Sequence, residues 1–426
     1  MGDKRQRIMA LTAFLFLGLL ATFPARCFSA ANQPLQIKKE SPQTKVPNRL
    51  GSSVVFPVQG NVYPVGSYHV NINIGNPPKL YDLDIDTGSD VTWVQCDAPC
   101  TGCTKPRDRL YKPKATNLVP CADPACTAMN APENPKCKDP KDQCDYEVNY
   151  ADHGSSFGVL VKDNFPVRLY NGSSFSPQLA FGCGYNQKFS GSHPPPSTAG
   201  VLGLGNGKGS VVSQLHALGL TQNVVGHCLS GRGGGFLFVG DDLVPSSGIL
   251  WTPISHNSFE YHYSSGPAEL LFGGKPTGVK GLLIVFDSGS SYTYFNAQAY
   301  QTTVNLLRKD LTGKPLKDAP EDKSLPICWK GPKSFKSVGH VKDYFKPLVL
   351  SFTNDRSVLL QLPPEAYLIV TKQGNVCLGI LNSAEVGLEN LNIIGDISMQ
   401  DKMVIYNNEK QLIGWTPANC DRHPKF

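Results

Sequence analysis

After residue 23 this 426-residue chain has no apolar run long enough to cross a bilayer, so nothing beyond that point is expected to span a membrane. It also lacks a basic stripe set beside stacking aromatics. The net charge is a modest +6, with Lys and Arg scattered along the chain, and nucleic-acid binding is not expected. None of the nine His falls in a metal-protease spacing, and no metal or other cofactor is expected. The 41 Gly and 34 Pro are spread along the sequence, so no low-complexity tract displaces a packed core. The last residues, Asp421 to Phe426, carry neither a hydrophobic tail nor an ER-retention tetrapeptide. No stable membrane anchor is expected there.

The one long apolar stretch, Ile8 to Phe23, follows Lys4, Arg5 and Arg7 and precedes the small residues Ser29 and Ala30. That is the layout of a secretory signal peptide, expected over residues 1–29. The rival, an uncleaved signal anchor, would need about 20 apolar residues. The expectation is a soluble protein of the secretory pathway, extracellular or vacuolar. Of the 13 Cys, Cys27 lies at the expected cleavage site and leaves with the signal. Twelve remain, an even set that in an exported chain reads as disulfides. Seven crowd into one stretch, namely Cys96, Cys100, Cys103, Cys121, Cys126, Cys137 and Cys144; the others are Cys183, Cys228, Cys328, Cys377 and Cys420. Spacing alone leaves their connectivity open. A zinc site at Cys96 to Cys103 is disfavoured, because no His partner stands nearby and zinc-thiolate sites favour reducing compartments. Asn171-Gly172-Ser173 is a glycosylation acceptor on an expected loop. Residues 30–62 are polar at first, with Lys38, Lys39, Lys45 and Arg49. They read as a disordered leader or as a short propeptide whose basic groups sit against acidic groups of the folded chain.

The length suits two domains, and the β-branched and aromatic runs broken by Gly, Pro and Asn predict an all-β plan. Helices are expected at Ser210 to Leu218 and Ala297 to Asp310. The most informative feature is a near-repeat. Asp86-Thr87-Gly88-Ser89-Asp90-Val91-Thr92-Trp93 is answered by Asp287-Ser288-Gly289-Ser290-Ser291-Tyr292-Thr293-Tyr294. Each copy follows an apolar run, so each first Asp is expected where a strand ends in a tight Gly turn. Two matched turns predict a duplicated lobe, residues 63–250 and 251–426, with one carboxylate from each lobe meeting at the join. Two competing motifs fail on context. Gly154-Ser155-Ser156-Phe157-Gly158 matches a nucleophile elbow, but the following Val159 to Pro166 reads as a strand where that motif needs a helix. Gly203 to Ser210 looks like a phosphate loop, but Lys208 is followed by Gly209.

These turns resemble those of the pepsin-type aspartic endopeptidases, most closely the cysteine-rich nucellin-like and nepenthesin-like plant branch, over about residues 62 to 420. Gly200-Val201-Leu202-Gly203-Leu204-Gly205 and Asn392-Ile393-Ile394-Gly395-Asp396-Ile397 are similar to the family segments that cross behind each catalytic turn. Tyr150-Ala151-Asp152-His153-Gly154-Ser155 resembles the flap hairpin that closes over the cleft. The resemblance implies an all-β bilobal fold and a secreted monomer acting on protein or peptide substrates, in the apoplast or the vacuole. Asp86 and Asp287 would be its catalytic pair and Tyr150 its flap residue, with Trp93 in the core beneath. It also implies the disulfides Cys96–Cys100, Cys103–Cys183, Cys121–Cys144, Cys126–Cys137, Cys328–Cys377 and Cys228–Cys420. The same fold also serves as a non-catalytic inhibitor or binding protein, and that alternative stands beside the enzyme.

Two carboxyls suit peptide hydrolysis by water, which needs a base and an acid at once. Two Asp side chains about 3 Å apart cannot both ionise cheaply and therefore share a proton. Gly88 and Gly289 let backbone N–H groups approach the carboxylates. The hydroxyls of Thr87, Ser89, Ser288 and Ser290 are expected to hold the outer carboxylate oxygens.

Overall fold

The computed structural model describes residues 52–189, 195–255, 262–388, 390–422 and 424, all within one compact unit. The expected signal peptide, Cys27 and the leader up to residue 51 lie outside the described residues. The end of that leader is corrected: Val54–Asn61 is a strand, paired with Gly235–Val239 on one side and Ser67–Ile74 on the other. Val54 and Val58 point into the core, so the folded body begins before residue 62.

One sheet of 13 strands and one of 8 carry most of the chain. The larger runs from Leu250–Pro253 through Leu412–Pro417, Lys402–Asn407, Val224–Leu229 and Gly235–Val239 to the N-terminal strands. The chain's last two long strands thus pair back onto the first half, Lys402–Asn407 lying antiparallel to Val224–Leu229. Residue 250 divides the two Asp turns, but it does not divide the sheets. Helices form at Val211–Ala217, where the Ser210 side chain caps the Ser213 N–H, and at Ala297–Leu311, where Asn296 caps Ala299. Ser155–Asn164 is a strand, which removes the helix a nucleophile elbow needs. No helix among the described residues is long and apolar enough to cross a membrane.

The near-repeat in sequence is a repeat in topology. Lys79–Asp86 alternates, burying Tyr81, Leu83 and Ile85 as period-two geometry requires, and it ends on Asp86. Gly200–Gly203 runs parallel to it, placing Leu202 beside Ile85, and antiparallel to Trp93–Gln95, placing Val201 beside Trp93. In the second half Asn392–Ile394 runs parallel to Leu282–Phe286, with Ile394 beside Phe286. It lies antiparallel to Thr293–Phe295, with Ile393 beside Tyr294. The two registers match position for position. Ile85 and Phe286, each preceding an Asp, are fully buried, an anchorage of about 1.5–3 kcal/mol apiece.

Among the described residues six disulfides close the frame. Cys228–Cys420 and Cys328–Cys377 form as the resemblance implies. The other four are corrected to Cys96–Cys183, Cys100–Cys103, Cys121–Cys137 and Cys126–Cys144. Strand pairing accounts for the first: Val94 lies beside Cys183 in parallel register, and both Cys96 and Cys183 are fully buried. Cys100 is thereby left to its near neighbour Cys103. Cys126, on the short helix Pro124–Asn130, is fully buried together with its partner Cys144, which directly precedes the Asp145–Asn149 strand, leaving the outer Cys121 to Cys137.

Candidate active site

The two Asp turns meet face to face. Gly88 and Gly289 are glycines because of close approach: a Cβ on Gly88 would lie 2.6 Å from Asp287 Oδ1, and one on Gly289 would lie 2.5 Å from Asp86 Oδ1. Each turn's N–H is drawn to its own carboxylate, Gly88 N to Asp86 Oδ1 at 2.8 Å and Gly289 N to Asp287 Oδ1 at 2.8 Å. Burial, then the charge of Asp86, raises the Asp287 carboxyl well above the ordinary range.

The hydroxyls divide the work differently from the sequence expectation. Only Ser89 holds a carboxylate oxygen, donating to Asp86 Oδ2. Thr87 and Ser288 lace the turns together. Thr87 N donates to Ser288 Oγ at 3.1 Å and Ser288 N to Thr87 Oγ1 at 2.9 Å. Each hydroxyl then donates to the carbonyl preceding the other turn's Asp, Thr87 to Phe286 O at 3.1 Å and Ser288 to Ile85 O at 3.0 Å. Ser290 turns away and donates to Tyr292 O. The pair is therefore chemically asymmetric, with a hydroxyl on Asp86 and none from Ser290 on Asp287.

The crossing segments are held by the later Thr of each repeat. Gly203 N donates to Thr92 Oγ1 at 3.0 Å and Gly395 N to Thr293 Oγ1 at 3.3 Å. The repeat in the sequence carried this signal. Sequence reading missed Asp396, which is 1% exposed with no hydrogen-bond partner for either oxygen among the described residues. Burial, then the charges of Asp287, Asp84 and Asp86, push its carboxyl well up. Also missed were Asp84 and Asp90, each raised to about 6, chiefly by burial. A single sequence gives no cue that Asp396 is buried and the other two half-buried.

Strands Asp145–Asn149 and Ser155–Asn164 make a hairpin with Tyr150 at its turn, where Tyr150 N donates to Gly154 O at 2.8 Å. The 4%-exposed Trp93 donates from Nε1 to Tyr150 Oη at 2.6 Å. Burial, then the nearby charge of Asp86, raises the Tyr150 phenol well above its usual range. Tyr150 is thus a turn residue within the electrostatic reach of the dyad.

The remaining expected sites lie elsewhere. Asn171 is exposed between the short strands Val167–Arg168 and Ser174–Phe175, its Oδ1 accepting from Ser173 N at 3.0 Å and Ser173 Oγ at 2.5 Å. Two groupings of possible metal ligands, Cys121 with Cys126 and Cys137, and Asp322 with Cys328 and Cys377, owe their sulfurs to disulfides. Those sulfurs are not thiolates and make no zinc site.

Family models described as xylanase inhibitor N-terminal and xylanase inhibitor C-terminal match residues 68–241 and 271–417. The chain is 44% identical over 384 residues to an aspartic proteinase of Oryza sativa subsp. japonica, covering 88% of this chain and 93% of that protein. It is 25% identical over 386 residues to the aspartic proteinase nepenthesin-1 of Nepenthes gracilis, covering 83% and 78%. Among solved structures, an aspartic proteinase from Irpex lacteus superposes with a TM-score of 0.61 at 16% identity, covering 87% of this chain and 98% of that one. Basic 7S globulin from soybean superposes with a TM-score of 0.66 at 15% identity, covering 86% and 95%. At these identities the two structures show the bilobal, all-β fold and no more.

Proposed function

The chain belongs to the plant branch of the pepsin-type aspartic proteases and is an aspartic-type endopeptidase, and on that premise we propose that Asp86 and Asp287 hydrolyse peptide bonds in protein substrates through an activated water. The observation that carries this is the reciprocal packing of the turns, each glycine against the other's carboxylate. Asp287, whose neutral form is favoured, holds the shared proton and offers it to the scissile carbonyl. Asp86, supplied with donors by Gly88 and Ser89, acts as the carboxylate that takes the proton from water. The water's oxygen bonds to the carbonyl carbon to give a tetrahedral centre, and proton return to the leaving nitrogen breaks the C–N bond. Thr87, Gly88, Ser89, Ser288, Gly289 and Ser290 shape the turns, and Tyr150 closes over them.

Acidic pH is the working range, because the second proton leaves the pair as pH rises. Six disulfides support export through the secretory pathway, Asn171 supports a glycan, and the protein acts as a monomer. The non-catalytic reading, named in the family-model descriptions, requires a decayed site; here both Asp and both Gly are present. The test is cleavage of a peptide library at acidic pH by the purified mature chain. Asp86→Asn and Asp287→Asn should each lower kcat/KM at least ~10³-fold while the fold persists, and a statine inhibitor should abolish cleavage. Substantial activity in either variant, or loss of activity with EDTA, would overturn the dyad.

A further inference from the structure

The hairpin that carries Tyr150 rests on a core of its own. Tyr146, Val148 and Tyr150 turn one way along the first arm and are wholly or half buried, while Glu147 and Asn149 turn outward and are exposed, as period-two geometry requires. The inward side chains meet Trp93, Met129, Leu160 and the Cys126–Cys144 pair in a cluster separate from the main core. Cys144, two residues before Tyr146, is pinned through its backbone as well. Its N–H donates to Val119 O at 2.8 Å, and its carbonyl accepts from Leu160 N at 2.8 Å.

Two glycines make room for the Tyr146 side chain. Gly182 lies beside Trp93 in parallel register. A Cβ there would fall 2.4 Å from Tyr146 Cζ and 2.9 Å from Trp93 Cβ, so the tyrosine ring and Trp93 converge over bare backbone. A Cβ on Gly184 would fall 2.6 Å from Tyr146 Oη and 2.9 Å from Ser156 Oγ. Those two hydroxyls, both on buried residues, share a hydrogen bond of 2.7 Å. Tyr146 stands on the outgoing arm Asp145–Asn149 and Ser156 on the returning arm Ser155–Asn164. The bond therefore ties the two arms together below the turn. Burial pushes the Tyr146 phenol well up, so it keeps its proton.

We propose that Tyr146, held by Ser156, is a positioning residue for the flap: it fixes the footing of Trp93, whose Nε1 donates to Tyr150 Oη at 2.6 Å. The line runs from Ser156 through the Tyr146 ring to Trp93, and from there to Tyr150. Tyr146 acts on substrate only through Tyr150.

The proposal rests on the reading of Tyr150 as the flap of a peptidase, and the test separates the two. Tyr146→Phe keeps the ring and removes the hydroxyl. It should lower kcat/KM about 3- to 5-fold, the scale of one hydrogen bond. Ser156→Ala should do the same, and the two together no more than either alone. In a Tyr150→Phe background, where the Trp93 bond is already gone, Tyr146→Phe should change kcat/KM less than about two-fold, while the urea midpoint falls equally in both backgrounds. A hydroxyl that served stability alone would lower the rate by the same factor in each. The indole N–H resonance of Trp93, assigned with Trp93→Phe, should move in Tyr146→Phe. An active wild type whose Tyr146→Phe variant keeps the wild-type kcat/KM, or loses the same factor with Tyr150→Phe as without it, overturns the positioning role. A Tyr150→Ala variant with normal turnover overturns the flap reading itself. An inactive wild type in which Tyr146→Phe still moves the Trp93 resonance overturns the peptidase reading and leaves the footing of Trp93 standing; an unmoved resonance overturns that footing as well.

Discussion

Thr87 and Ser288, 201 positions apart, exchange two hydrogen bonds as if they were neighbours, each amide N–H donating to the other's hydroxyl. This exchange turns two surface-type Gly turns into one site. It also explains why the second copy tolerates Ser where the first has Thr, since only the hydroxyl is used. Ser288→Ala should leave the buried Thr87 N–H without its acceptor, at a cost of about 1–3 kcal/mol. The expected outcome is a lower urea midpoint and about tenfold lower kcat, whereas Ser288→Thr should remain near wild type. Equal behaviour of the two variants would show that the hydroxyl is not what joins the turns.

The raised carboxyls fix the sign of the pH response. Asp287 and Asp396 both lie well above the ordinary carboxylate range, chiefly through burial. Their contribution to stability is therefore fully present below the unfolded value of about 3.9 and is lost as pH rises through the folded values. The rate should follow a bell on the acid side of neutrality, its upper limb marking loss of the shared proton. Asp396→Asn should raise the urea midpoint near neutral pH relative to wild type and leave it little changed in acid. A midpoint unchanged at every pH would remove Asp396 from the account.

His227 acts in the opposite direction. It is fully buried, and desolvation alone brings it down to about 3. The unfolded chain takes up a proton below about 6.5 that the folded chain refuses, so stability is present above 6.5 and is lost as pH falls toward 3. At about 1.4 kcal/mol per pH unit the loss is on the order of 5 kcal/mol over that window. His227→Leu should flatten the fall of the urea midpoint between pH 6 and pH 4 by the equivalent of one proton. A slope identical to wild type would mean that His227 is charged in the folded state.

The hairpin proposed as the flap is held by an aromatic hydrogen bond, Trp93 Nε1 to Tyr150 Oη. Tyr150→Phe keeps the ring and loses that bond, and should lower kcat/KM by a few-fold. Tyr150→Ala also uncovers the water and should lower it much further, with stability changed little, because Tyr150 is only half-buried at a turn. Extensive unfolding of Tyr150→Ala, with normal turnover in the folded fraction, would assign Tyr150 to the core.

By itself the sequence determined whatever is local or repeated. The alternation of Tyr81, Leu83 and Ile85 set a strand. The paired Asp-x-Gly turns set two equivalent sites, and Ser210 and Asn296 set helix starts, because period, turn chemistry and caps act over a few residues. Tertiary structure decided what depends on distance across the fold. Cys96 pairs with Cys183 because parallel strands bring them together, and no spacing rule reports that register. Thr87 and Ser288 bond each other, and not the carboxylates, because the turns approach closer than a Cβ allows. Tyr406 and His227 look like ordinary strand residues in the sequence. Their contact with each other follows from the late strand Lys402–Asn407 pairing with Val224–Leu229, a contact that only the closed sheet can make.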